Sequence, residues 1–140
     1  MSEKLFKQES VYNPVIDMFN RLEYIFVDSL KFEIYNSEYN TMIERAENPY
    51  CSLWYSVNRN LFYYNLVESN VNKSITTKIG YNSNINELTI TQTTDTLYKE
   101  KLAIKSKFEK EIIQIYNIEN ILEGLEKAKE VLYIQTGCNF

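Results

Sequence analysis

Four lysines, Lys99, Lys101, Lys105 and Lys107, share one parity along a stretch of chain in which Tyr98, Leu102, Ile104 and Phe108 share the other. On an extended strand over 96–108 this spacing sets four ammonium groups on one face and four apolar groups on the opposite one. Such a row would contact an anionic partner, either an acidic protein or a nucleic acid, or it would guard a strand at the edge of a sheet against pairing with another chain. Glu119, Glu123, Glu126 and Glu130 form a second charged row, on one side of a helical stretch that also carries an apolar stripe. A glutamate row beside a buried stripe is the ordinary solvated side of an amphipathic helix.

The 140 residues contain no histidine, which excludes a Ser-His-Asp triad, a Cys-His pair and an imidazole metal site. Glycine stands only at Gly80, Gly124 and Gly137, so neither a P-loop nor a Gly-x-Gly-x-x-Gly fingerprint can be written. Cys51 and Cys138 are too few for a disulfide framework and lack the C-x-x-C spacing, and they are expected to be reduced, with Cys51 buried. No catalytic residue, metal ligand or cofactor is expected.

The densest apolar stretch is Cys51 to Glu68, which holds the single tryptophan and reads as two strands joined by a three-residue loop, Asn58-Arg59-Asn60, with Asn60 suited to a positive φ. That loop pairs Val57 with Leu61, Tyr55 with Tyr63 and Leu53 with Asn65 on one face, and Trp54 with Tyr64 and Ser56 with Phe62 on the other. Both faces are apolar, so the ribbon belongs in the middle of a sheet.

Two helices are available to cover it. Asn13-Pro14 is a cap followed by a residue preset for the first helical position, and Val15, Met18, Phe19, Leu22, Ile25 and Phe26 make one stripe over 14–29. Asn117 is read as the cap of a second helix over 118–133, with Ile118, Ile121, Leu122, Leu125, Ala128 and Leu132 as its stripe, Gly124 as an interior cost and Gly137 as a stop. Residues 31–35, 74–81, 87–94, 96–108 and 111–116 read as further strands, with a turn at Glu109-Lys110. The segment 37–47 fits a short helix capped by Ser37 or a strand paired with 31–35.

The expected fold is therefore a single α+β domain over 1–140: a mostly antiparallel meander of five to seven strands flanked by an N-terminal and a C-terminal amphipathic helix. If both helices cover one sheet face, the other is left as an interface, with Trp54, Phe62, Tyr64 and Leu66 as its candidate residues. One helix on each face would instead make the hairpin wholly core.

The net charge of −4 is concentrated in the first fifty residues, which disfavours general nucleic-acid binding. There is no run of eighteen apolar residues, and the first nine residues lack a secretory core, so a cytoplasmic protein without a membrane segment is expected. The abundance of asparagine, isoleucine, lysine and tyrosine matches AT-rich codons, as in a low-GC bacterium or a phage that replicates in one. A chain of this kind is expected to work as a small acidic, non-enzymatic protein-binding module. An inhibitor of a bacterial defence system resembling an anti-CRISPR protein, or a toxin-immunity protein, would be of that type, with a protein partner or a homodimer. The alternative is a binder of small ligands or single-stranded nucleic acid that uses the sheet as a platform.

Overall fold

The structure, a computed structural model, describes residues 12–29 and 32–140. The amino-terminal stretch read for a secretory core and Lys31, at the head of the first expected strand, lie outside the described residues. Helix α1 (Pro14–Ser29) is followed by seven strands, β1 (Glu33–Asn36), β2 (Asn40–Arg45), β3 (Tyr50–Ser56), β4 (Leu61–Ser69), β5 (Lys73–Asn82), β6 (Glu87–Glu100) and β7 (Ala103–Tyr116), and by helix α2 (Ile121–Thr136). The strands form one antiparallel sheet in the order of the chain, so the fold is the α+β meander that the sequence implies.

α1 begins where Asn13 Oδ1 accepts the backbone N–H groups of Val15 at 3.0 Å and Ile16 at 3.2 Å, satisfying two of the free amides of the first turn. Every member of its apolar stripe is buried, and Asp17, Asn20, Arg21, Tyr24 and Asp28 on its far side are exposed. α2 starts three residues later than the Asn117 cap implies. Asn117 N–H donates to Asn120 Oδ1, and Asn117 Oδ1 accepts from the Glu119 N–H, which makes 117–120 a turn and leaves Asn120 at the cap position. Ile118 and Leu122 are consequently exposed, and the buried side of α2 is Gly124, Leu125, Ala128 and Leu132. A Cβ on Gly124 would lie 2.4 Å from Tyr116 Cγ, so the glycine lets the helix ride directly on that ring. Gly137 ends the helix with φ 75° and its N–H on the Tyr133 carbonyl at 2.8 Å.

Both helices lie on the same sheet face. Tyr81 accepts a hydrogen bond from Asn13 Nδ2 at the start of α1, and Tyr64 donates to Gln135 Oε1 of α2 at 2.9 Å. Gln135 donates in turn to the buried Thr77 hydroxyl, so Tyr64, Gln135 and Thr77 are joined in one chain of hydrogen bonds under α2. Leu53, Tyr55, Phe62, Tyr64, Leu66, Ile79, Tyr81, Leu88 and Ile90 form the floor of this core.

Of the two readings of 37–47, the strand paired with the preceding strand holds: Ser37 closes a tight turn, its Oγ accepting the Asn40 N–H at 3.1 Å, and β2 pairs with β1, putting Ile43 into the core and Met42 on the other face. Two local readings are corrected. The chain reverses at Lys101-Leu102, where Lys101 takes φ 56°, so 96–108 is the end of β6, a two-residue turn and the start of β7. Glu109-Lys110 is not a turn; β7 runs through it, with Glu109 bulged out between the pairs Thr94–Lys110 and Asp95–Phe108.

Candidate protein-docking face

The β3–β4 loop decides which aromatics reach which face. It has four residues, Val57 to Asn60, because the Ser56 hydroxyl accepts the N–H groups of Asn60 and Leu61 at 3.2 Å each and closes the strands one residue earlier than a three-residue loop would. The positive φ falls on Arg59, at 53°, rather than on Asn60. Arg59 is held there by α1: Nη1 donates to Asn20 Oδ1 at 3.1 Å, Nη2 lies 3.5 Å from Glu23 Oε2, and the guanidinium sits 4.3 Å from the centre of the Tyr55 ring. The Tyr55 phenol donates to Glu23 Oε1 at 2.6 Å, and burial, followed by that carboxylate, pushes its pKa up to about 12.

The register is accordingly Tyr55–Phe62, Trp54–Tyr63 and Leu53–Tyr64. Of the four candidate interface residues, Phe62 and Tyr64 (each 1% exposed) and Leu66 (5%) lie in the core beneath the helices, and only Trp54 faces the other way. A shift of one residue in pairing exchanges the faces of a whole strand, so the expected set is replaced by its neighbours.

The face opposite the helices carries one residue from each strand in a continuous cross-strand ladder: Tyr35, Met42, Trp54, Tyr63, Gly80, Thr89 and Ile115. Seven strands at the usual spacing make it about 29 Å long. Trp54 and Tyr63 stack obliquely with ring centres 5.1 Å apart, and Tyr63 leans over Gly80, whose missing Cβ would lie 3.1 Å from the ring. Ile113 extends the apolar surface beside Ile115. No described residue of either helix covers this face. Among the described residues it is rimmed by Glu33, Glu44, Glu87, Asp95 and Glu111 against Lys78 and Lys99. Tyr35 donates to the Glu33 carboxylate, and that hydrogen bond is the main cause holding its phenol above its usual range.

The four lysines do not form one row. They lie at the end of the β6–β7 hairpin, which projects past β5 as a two-stranded ribbon. Lys105 and Lys107 oppose Tyr98 and Thr96 on the helix side, Lys99 opposes Ile104 on the other side, and Lys101 is in the turn. Lys105 Nζ is 3.7 Å from Glu100 Oε2. The four glutamates near α2 are exposed, with Glu130 Oε1 3.7 Å from Lys127 Nζ.

Cys51 is buried and both cysteines are free thiols; burial pushes the Cys51 thiol up to about 12. Among the described residues, no three cysteine, aspartate or glutamate side chains lie where they could hold a metal ion, and no helix is long and apolar enough to cross a membrane. The hollow on the open face, lined by Tyr35, Asn36, Ser37, Asn40, Met42 and Trp54, is shallow, with a volume of about 240 Å³. No family model matches the chain, and neither the curated proteins nor the solved structures searched include a match.

Tyr35, Met42, Tyr63, Ile113 and Ile115 were not among the residues expected from sequence. Tyr63 alone had a usable signal: a four-residue loop would have paired it with Trp54.

Proposed function

We propose that the protein is a non-enzymatic binding module whose open sheet face docks on another protein. The supporting observation is the ladder from Tyr35 to Ile115, which leaves large aromatic and aliphatic groups in water on a face that the two helices do not reach. An exposed aromatic cluster of this kind, centred on a tryptophan and a tyrosine already stacked together, has the composition of an interface hot spot. The acidic rim selects a partner whose own apolar patch is bordered by lysines and arginines. It also argues against nucleic acid, because the five carboxylates set against two lysines among the described residues repel a phosphate chain that stacked aromatics would otherwise attract. A small ligand would want an enclosed cavity, and the hollow beside Trp54 is shallow.

A partner with a basic working surface fits an enzyme that handles nucleic acid. We therefore assign the module to the inhibitor class, blocking a defence nuclease in the manner of an anti-CRISPR protein or neutralising a toxin nuclease as an immunity protein. We place it in a reducing cytoplasm, in keeping with the two free thiols.

The test is paired affinity capture from host extract with the wild type and a Trp54→Ala/Tyr63→Ala variant as baits, with nuclease treatment of the extract. The expected result is a basic protein, retained by the wild type, released by salt and lost by the variant. Retention of the same protein by both baits, or capture that disappears on nuclease treatment, refutes the proposal.

A further inference from the structure

We infer that the second half of β7 is a self-pairing edge through which two copies of the chain join into one continuous sheet. β1 and β7 are the two edges of the sheet. β1 has four residues and begins with Glu33, and a short charged strand resists pairing. β7 has fourteen residues and is guarded over only part of its length. Lys105, Lys107, Lys110 and the bulge at Glu109 protect its first half. From Glu111 to Tyr116 the sequence is Glu-Ile-Ile-Gln-Ile-Tyr, with no proline, lysine or bulge, and no described strand pairs with its outer edge. Ile113 and Ile115 are 55% and 60% exposed there, and Ile112, on the helix side, is 42% exposed.

A second copy fits this edge because the segment is complementary to itself. An antiparallel joint centred on Gln114 sets Ile113 against Ile115 of the partner subunit on the open face. On the helix side it sets Ile112 against Tyr116 of the partner subunit, and Gln114 against its own counterpart. Glu111 falls opposite Asn117 of the partner subunit, so no like charges are opposed. A joint centred on Ile113 instead sets Ile112 against glutamine and Glu111 against isoleucine, and one centred on Ile112 sets Glu111 against Ile113. Odd shifts place core-side residues against open-face ones. The pairing is two-fold and closed, so it ends at a dimer rather than a filament. It also brings the two open faces side by side in one sheet, seven strands from each copy. A joint six residues long, about 20 Å, is smaller than a standard stable interface, so the dimer is expected to dissociate on dilution.

The experiment uses the purified full chain, without any partner. Sedimentation equilibrium should show a mass rising with concentration towards twice 16.7 kDa. Ile113→Lys, at an exposed position, should keep the circular dichroism spectrum and hold the mass at one chain. Trp54→Ala should leave the dimer unchanged, which separates this inference from the docking face. In a Cys138→Ser background, Gln114→Cys should form a symmetric disulfide under mild oxidation, because directly opposed residues have Cβ atoms about 4.5–5.5 Å apart, whereas Lys99→Cys on the ribbon should not. A single-chain mass at every concentration, a dimer that survives Ile113→Lys, or a Gln114→Cys variant that cross-links no faster than Lys99→Cys overturns the inference.

Discussion

Tyr63 and Tyr64 are consecutive residues of β4 with the same side chain, and the two faces of the sheet treat them in opposite ways. Tyr64 is 1% exposed, its phenol on Gln135, and burial, the first cause, pushes its pKa upward; Tyr63 is 46% exposed, stacked on Trp54 and lying over Gly80. The pair shows that in a two-sided strand apolar composition says little about role. Position relative to the helices decides whether an aromatic stabilises the fold or is available to a partner.

The sharpest separation of the two faces comes from truncating each tyrosine. Tyr64→Ala empties a core site and should cost about 3–5 kcal/mol, enough to leave a domain of this size largely unfolded. Tyr63→Ala should fall within about 0.5 kcal/mol of wild type, as surface changes usually do. Urea denaturation of both variants measures the difference, and equal losses would mean that the open face is covered in solution.

Two glycines allow a finer comparison, since each lies under a tyrosine ring, one on each face. Gly124→Ala places a methyl 2.4 Å from Tyr116 Cγ, and α2 cannot back away without losing the contacts of Leu125, Ala128 and Leu132. The gain in helix propensity is outweighed, and a net loss of about 1–3 kcal/mol is expected from overpacking. Gly80→Ala meets Tyr63 at 3.1 Å, but that ring can lift off the sheet. Its stability should change by no more than about 0.5 kcal/mol, while Trp54 fluorescence shifts as the stacked pair moves. Thermal melts that rank Gly80→Ala as the worse variant would reverse the comparison.

On the covered face alkali should act through two groups held above their ordinary range, Cys51 and Tyr55. Burial pushes Cys51 from 9.0 up to about 12, and burial with Glu23 pushes Tyr55 from 10.0 up to about 12. Both raised values mean that between pH 9 and 12 the folded chain keeps protons that the unfolded chain has lost, so stability is fully present below pH 9 and falls as pH rises through this window. Melting temperature followed from pH 8 to 12 should be flat at first and then decline. Cys51→Val should delay the onset of that decline from the thiol range to the phenol range. An unchanged onset would place the alkaline loss elsewhere.

How far the sequence could be read depended on whether the deciding contact was local. α1 was legible in full because Asn13, Pro14 and six apolar positions at helical spacing all point to one element. The α+β meander was legible from alternation within single strands. The β3–β4 register was not, because Asn58-Arg59-Asn60 admits more than one turn. The choice rests on the Ser56 hydroxyl and on Arg59 reaching Asn20, Glu23 and Tyr55, two of which are on a helix some forty residues earlier in the chain. That one-residue difference is why Phe62, Tyr64 and Leu66 stood where Tyr63 belongs. The turn at Lys101-Leu102 lacks glycine, asparagine and proline, so its lysines looked like one face of a single strand. Gly124 showed its helical cost in the sequence, but the reason for it, the Tyr116 ring, lies on another element.

The strictly sequential order of the strands has a kinetic consequence. Each strand pairs with the one made just before it, so every closure in the sheet spans a short loop and the entropy lost at each step is small. The sheet can therefore assemble progressively as the chain leaves the ribosome, with α1 already present to shield part of the growing apolar face. α2, which follows the whole sheet in the chain, caps the remainder. Until it docks, the buried floor near Thr77, Leu88 and Tyr116 lacks its cover. A released chain truncated after Asn120 should thus pair its sheet yet remain a chaperone client, and restoring residues 121–140 should end that dependence.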